Sequence, residues 1–458
     1  MSERRRNELT RRGFLQAAAA SGLTAASPLA ALARAASPER GTVGPGYGPL
    51  MPVADENTGL RLLMLPDGFS YTSFGWTGDP LEDGTPTPDS HDGMAVFPAG
   101  PGRVHLVRNH ERIADTPFAA GIPLYDLGAG GGTTTLEFDL TRSRLLRAWG
   151  SLTGTIMNCA GGPTPEGSWL SCEETIAGPG DPKLPSLEQR HGYVFEVPAR
   201  AKASAEPLKE MGRFKHEAVA VDPRTGVVYE TEDSKHAGFY RFVPVERGRL
   251  AAGGKLEMLA VVDKPGFEAR AGQAARASFA THWVAIDDPD PDAPAKQGHS
   301  VFAQGSAAGG AVFRRLEGCF FGNGRIYFVS TSGGEARCGQ VWAYDPQAER
   351  LYLIFESPHR AILDYPDNVA ISPRGGILLC EDGEDTEFLH ALTPEGQISP
   401  FCQNLVVLRG ERNGIYGDFT GSEFAGAGFD ASGKWLFVNV QKPGISFAIT
   451  GPWDRGPL

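Results

Sequence analysis

The sequence predicts an all-β fold, a six-bladed β-propeller with inserted loops or short helices, and three observations predict it. Glycine (59) and proline (35) are abundant among the 458 residues, so turns are frequent and long helices few. One hairpin-like pattern recurs six times along the chain. Acidic residues flank nearly every copy at matching offsets.

The N-terminus reads as an address. Arg4, Arg5 and Arg6 form a positive region, and Thr10-Arg11-Arg12-Gly13-Phe14-Leu15-Gln16 fits the twin-arginine export pattern. A mildly apolar, alanine-rich stretch follows to Ala33, interrupted by Pro28, and Ala31-Leu32-Ala33 offers a small-x-small cleavage site. The stretch is too weakly apolar for a stable membrane anchor, which needs about 20 strongly apolar residues. Residues 1–35 are predicted to be a signal peptide read by the twin-arginine translocase, which carries proteins already folded. That route raises the expectation of a cofactor and of a periplasmic or extracellular location.

Residues 36–458 are predicted to form one domain, expected to be monomeric. The formal net charge is −12 and no basic stripe occurs, which argues against nucleic acid and anionic membrane surfaces as partners. An acidic protein still accepts anionic substrates where bound cations reverse the local sign. The six cysteines are Cys159, Cys172, Cys319, Cys338, Cys380 and Cys402. They contain no CxxC pair, so zinc-ribbon and thioredoxin-like readings fail.

The repeat consists of a short apolar run, a Pro/Gly/Asp turn, a second apolar run and then polar residues. Its copies run from Met94 to Glu111, Gly162 to Glu174, Ala218 to Asp233, Cys319 to Ser332, Val369 to Asp382 and Ala427 to Asn439. Each reads as a β-hairpin. Further strand-like pairs lie between copies, so two hairpins make a four-stranded blade and six repeats make six blades. The stretch 244–313 reads as an insertion, partly helical, over one face.

Polar residues gather at the hairpin ends. His91-Asp92 and Asn109-His110-Glu111 bracket the first, Asn158 and Cys172-Glu173-Glu174 the second, His216-Glu217 and Glu232-Asp233 the third. Arg315-Leu316-Glu317 precedes the fourth, Asp367-Asn368 and Glu381-Asp382 bracket the fifth, and Ser422-Glu423 precedes the sixth. The start and finish of a hairpin lie at one open end. As inner strands of a propeller, these hairpins would crowd the acids around the central channel. Unpaired carboxylates there repel and take up protons. Arg315 is the main cation among them, so hard divalent ions with oxygen ligands are the economical remedy. Cys172 stands out: as a thiolate at the mouth it suits a soft or redox metal such as iron, and otherwise it is a buried thiol or half a disulfide.

Ser171-Cys172-Glu173-Glu174-Thr175, Lys215-His216-Glu217, Thr231-Glu232-Asp233, Arg315-Leu316-Glu317-Gly318 and Cys380-Glu381-Asp382-Gly383 resemble motifs of the PhoX-type alkaline phosphatases, over nearly the whole mature chain. The resemblance implies a propeller with iron (Fe3+) and calcium (Ca2+) ions at the channel mouth and hydrolysis of a small phosphorylated substrate, a phosphate monoester. It implies that Cys172 bridges two irons and that Glu217 and Glu317 are metal ligands. Glu173, Glu174, Glu232, Asp233, Glu381 and Asp382 are candidates for the rest of the cluster. Arg315 would hold phosphate oxygens, which its planar donors suit, with Lys215 and Asn158 as further substrate-binding candidates. No GxSxG, P-loop, complete GxGxxG or HExxH occurs, which disfavours serine esterases and nucleotide-binding enzymes. Two rival readings remain: a calcium-dependent propeller lactonase or esterase, and a non-catalytic envelope propeller closed by calcium.

Overall fold

The third repeat illustrates how these sequences become strands. His216–Val221 and Val228–Glu232 pair antiparallel, buried throughout. The turn between them is fixed by Asp222, whose Oδ1 accepts the Arg224 N–H at 2.9 Å, and by Gly226 at φ +79°, a conformation that glycine adopts without steric cost. The computed structural model describes residues 46–113, 115–292 and 298–458. The predicted signal peptide and its cleavage site lie outside the described residues.

The described residues are all-β and propeller-like, with one short α-helix among them, Val301–Ala307. The first sheet is a four-stranded meander of His91–Gly100, Arg103–His110, Gly131–Asp139 and Arg144–Thr155. The second has three strands, Asn158–Pro163, Ser168–Glu173 and Val194–Pro198. Two further meanders, starting at His216–Val221 and Leu316–Gly322, are fused into one nine-stranded sheet by Ser278–Ala285. The meander starting at Pro366–Ile371 is widened to six strands by Leu63–Leu65 and Met51–Val53. The last, starting at Phe424–Phe429, is completed by the N-terminal strand Ser70–Phe74, so the two ends of the domain close on each other.

This differs from six separate four-stranded blades in three places, the widening of the fifth meander to six strands being one. The second sheet lacks a fourth strand among the described residues. The predicted insertion 244–313 does not lie apart from the sheets: Gly254–Val261 is an ordinary fourth strand, and Ser278–Ala285 bridges to Arg350–Glu356. Bridging gives an otherwise open sheet edge a partner. No helix among the described residues is long and apolar enough to cross a membrane.

The first strands of the meanders, together with Asn158–Pro163, pack against one another in a ring, each touching the next and the last touching the first. They come close because small residues line the contact. A Cβ on Gly93 would lie 2.6 Å from Ala160 Cα, and one on Gly318 would lie 2.7 Å from Val369 N. Gly318→Ala is therefore expected to lower stability by about 1–3 kcal/mol, the usual cost of overpacking a tight interior. Urea unfolding of the variant beside wild type measures this; an unchanged midpoint would mean that the inner strands can part freely.

Candidate active site

All six inner strands carry a β-bulge, two residues opposing one on the partner strand. In five it falls at the same place: Asp92-Gly93, Cys159-Ala160, Glu217-Ala218, Glu317-Gly318 and Asp367-Asn368. In the sixth it comes one residue later, at Gly426-Ala427. The first residue of each of the five bulges is an acid or a cysteine, and the second is small or an asparagine.

Above this ring lies a second. The backbone N–H groups of Glu111, Glu174, Asp233, Thr331, Asp382 and Gln441 are donated to the carbonyls of Ser90, Met157, Lys215, Arg315, Tyr365 and Glu423, at 2.9–3.2 Å. The six meanders thus end alike at the mouth, with an acid on the rim in four of the six. Together the two levels gather Asp92, Glu111, Glu174, Glu217, Asp233, Glu317, Asp367, Asp382 and Glu423 with the Cys159 thiol. Lys215 and Arg315 contribute cations at the same level.

Three groups of side chains each bring ligand atoms within 4.8 Å of one another: Cys159, Glu174 and Glu217; Glu217, Glu317 and Asp367; Asp367, Asp382 and Glu423. Glu217 belongs to two of them, and so does Asp367. Cys159 Sγ donates to Glu217 Oε1 at 3.1 Å. Glu217 Oε2 is buried without a hydrogen-bond partner. Burial pushes the carboxyls of Asp92, Glu174 and Glu217 well above the usual range, and their neighbours Glu111, Asp233 and Glu317 push them further. Burial, then the Asp92 charge, does the same to the Cys159 thiol.

The second and third groups offer only oxygen, the donor of hard cations. The first adds a sulfur, which suits iron or zinc. The orphaned Glu217 oxygen and the mutual repulsion of these acids are what a bound cation would relieve, so the donor set fits metal.

Arg315 bridges the acids. Its Nε and Nη2 bind Asp233 at 2.8 and 2.9 Å, and Nη2 also reaches Glu317 at 2.8 Å. Burial opposes the guanidinium charge, but Glu317 and Asp233 outweigh it and hold its pKa up. Burial would likewise raise Asp233, and Arg315 reverses this and holds it below the usual range. Lys215 is half-exposed, 3.8 Å from Glu174.

Of the residues predicted from sequence, Glu174, Glu217, Asp233, Glu317, Asp382, Arg315 and Lys215 come together at the mouth. Five do not. Cys172 opposes the Cys159-Ala160 bulge on the second strand and is fully buried with Leu170, Val194 and Val219. Residues opposite a bulge face the neighbouring sheet: Asn109 donates to the Cys159 and Ala160 carbonyls, and Thr231 to that of Glu317. The cysteine at the mouth is Cys159, on the inner strand.

Glu173, Glu232 and Glu381 each precede a rim residue by one position, and strand alternation turns them away from the axis. Glu173 accepts from His191 at 2.7 Å and from the Gly192 N–H at 2.9 Å. Glu232 accepts from Tyr240 Oη at 2.7 Å, and burial pushes its carboxyl up to about 7. Glu381 accepts the Asp364 N–H at 2.8 Å and pairs with His390 at 3.0 Å. Asn158 is buried and bonded to Thr155 and Ser171, so it is not available to substrate. Asp92, Glu111, Cys159, Asp367 and Glu423 are not among the ligands predicted from sequence. The available signal for four of the ring residues was an acid or cysteine followed directly by glycine or alanine at a hairpin start.

The family model for the alkaline phosphatase PhoX matches residues 45–137 and 128–444. The chain belongs to this family. As a PhoX family member it is a phosphatase, a phosphoric monoester hydrolase. No curated protein matches its sequence. Among solved structures, Pseudomonas fluorescens PhoX in complex with vanadate, a transition state analogue, is similar at 16% identity and a TM-score of 0.64, covering 89% of this chain and 98% of that one. A gluconolactonase from Xanthomonas campestris is similar at 12% identity and a TM-score of 0.42, covering 90% and 100%. The PhoX likeness supports the propeller-like fold.

Proposed function

We propose that this chain is an exported, metal-dependent phosphatase that hydrolyses small phosphate monoesters at the mouth of a six-bladed propeller. The six-blade reading rests on the ring of six bulged inner strands, with the nine-stranded sheet taken as two blades fused by Ser278–Ala285. The observation that carries the function is the crowding of acids around one clamped arginine: such a mouth attracts an anion only with cations in it. Glu217, Glu317, Asp367, Asp382 and Glu423 would hold calcium, and Cys159 with Glu174 and Glu217 would hold iron. Bound there, the cations supply positive charge and Lewis acidity.

The chain's own residues do the positioning. Asp233 and Glu317 fix the plane of the Arg315 guanidinium. Its Nη1, which makes no hydrogen bond among the described residues, is left for a phosphoryl oxygen. Lys215 adds a mobile charge at the rim. Donors fixed before the reaction cost no reorganisation during it, which is where their catalytic value lies. Export through the twin-arginine route, a periplasmic or extracellular location and a monomeric state belong to the same reading.

The test is p-nitrophenyl phosphate hydrolysis by the exported protein, loaded with calcium and iron. Turnover that chelation stops and vanadate inhibits is expected. Arg315→Ala should lower kcat/KM by about 10²–10³, the loss typical of one charge-stabilising donor. A folded, cation-loaded protein without turnover would overturn the proposal.

A further inference from the structure

The rim breaks its own pattern at the fourth meander. Where Glu111, Glu174, Asp233 and Asp382 place carboxylates, the equivalent residue is Thr331. Its backbone is locked in register, the N–H donated to the Arg315 carbonyl at 3.0 Å. The residue is 1% exposed, and Oγ1 has no hydrogen-bond partner. Other rim groups are engaged: Asp233 on the third meander with Arg315, and Gln441 on the sixth with Asp92 and Glu111. A buried hydroxyl without a partner is costly to keep.

Charge explains the exception. An acid at this position, bonded through its backbone to the Arg315 carbonyl, would add a further negative charge to a rim where Asp233 and Glu317 already share the guanidinium, and would repel an approaching anion. A hydroxyl is neutral and carries a donor. The one gap in the wall of acids between the third and fifth meanders is therefore the residue whose backbone is bonded to that of Arg315. We infer that Thr331 is a substrate-binding residue whose Oγ–H donates a hydrogen bond to a phosphoryl oxygen held by Arg315. This rests on the phosphatase reading. It adds that the phosphoryl group sits on the fourth-meander side of the mouth.

The experiment compares wild type, Thr331→Val, Thr331→Ala and Thr331→Ser, each exported, cation-loaded and checked for metal content and thermal midpoint. Valine keeps the shape and removes the hydroxyl; alanine replaces it should valine fail to fold. The kcat/KM for p-nitrophenyl phosphate is expected to fall about ten- to hundredfold in the valine variant, the range for a hydrogen bond to a charged group. The inhibition constant for inorganic phosphate should rise alongside it. Serine should return both to within about threefold of wild type, which a purely structural role of the threonine would not produce. Wild-type kinetics and phosphate inhibition in Thr331→Val would overturn the inference while leaving the phosphatase reading intact. Should wild type itself lack turnover, calorimetry with inorganic phosphate decides: binding weakened by Thr331→Val upholds the inference, and equal or absent binding overturns it.

Discussion

Cys159→Ser is expected to lower kcat for phosphate monoesters about a hundredfold or more, while Cys172→Ala leaves it within about twofold of wild type. Removing a charge-stabilising group from a preorganised site costs about this much. Cys159 lies at the inner-strand bulge with Glu174 and Glu217, and its thiol donates to Glu217. Burial and Asp92 keep that thiol protonated when no cation is present. A cation of sufficient acidity reverses this, because a coordinating thiol is deprotonated outright. Serine matches the shape but gives a harder, far less acidic donor, so the variant should lose iron and the thiolate-to-iron absorption along with rate.

Cys172 offers the contrasting case. Its neighbours are apolar, and burial drives its thiol pKa well up, with Glu230 adding to it. Alanine there should cost about 1 kcal/mol of stability, a typical value for a single substitution, and no metal. Metal analysis, absorption spectra and steady-state kinetics on both variants distinguish the two cysteines. Full activity and iron content in Cys159→Ser would remove this thiol from the site.

The fold was legible because hairpin punctuation survives in sequence: Asp222 to Gly226 marks its turn by composition alone. Strand closure was not. Nothing in Ser70–Phe74 shows that it pairs with Ile445–Thr450 at the far end of the chain, because long-range pairing leaves no local signature. The site was legible as a region and illegible at the level of single residues. Glu173 and Glu174 are adjacent acids at one hairpin end, yet one clamps His191 and the other faces the mouth. A period-two element sends neighbours to opposite sides, and the bulges shift that parity on one strand and not on its partner. The choice of Cys172 over Cys159 fails for the same reason. Both sit near the mouth end of their strands, and only the inner-strand position faces the axis.

Chelation should destabilise the protein, and by more as pH rises. Burial and like charge raise the carboxyls of Asp92, Glu174 and Glu217 in the folded, cation-free state. Unfolded, the same groups titrate near 4. Above about pH 4 the folded state therefore binds more protons than the unfolded one. The derivative of unfolding free energy with pH is then negative, so these three groups erode stability until the folded pKa values are passed. Asp233 has the opposite sign. Its carboxyl is depressed against Arg315, so it contributes stability above its unfolded pKa and loses it as pH falls through the folded value. Asp233 is ionised in both states above about pH 5, so between about pH 5 and pH 8 the three raised acids contribute a negative slope to the chelated protein, and buried His91 and His110, held neutral, oppose it in chelated and loaded protein alike. Cations select the deprotonated ligands and cancel that slope. Free calcium at about 100 times its dissociation constant should add about 2.7 kcal/mol. The gap between loaded and chelated thermal midpoints is accordingly expected to widen from about pH 5 to about pH 8. Midpoints that ignore calcium, or a gap between loaded and chelated midpoints that narrows over that range, would mean that these acids are balanced by protein groups rather than by metal.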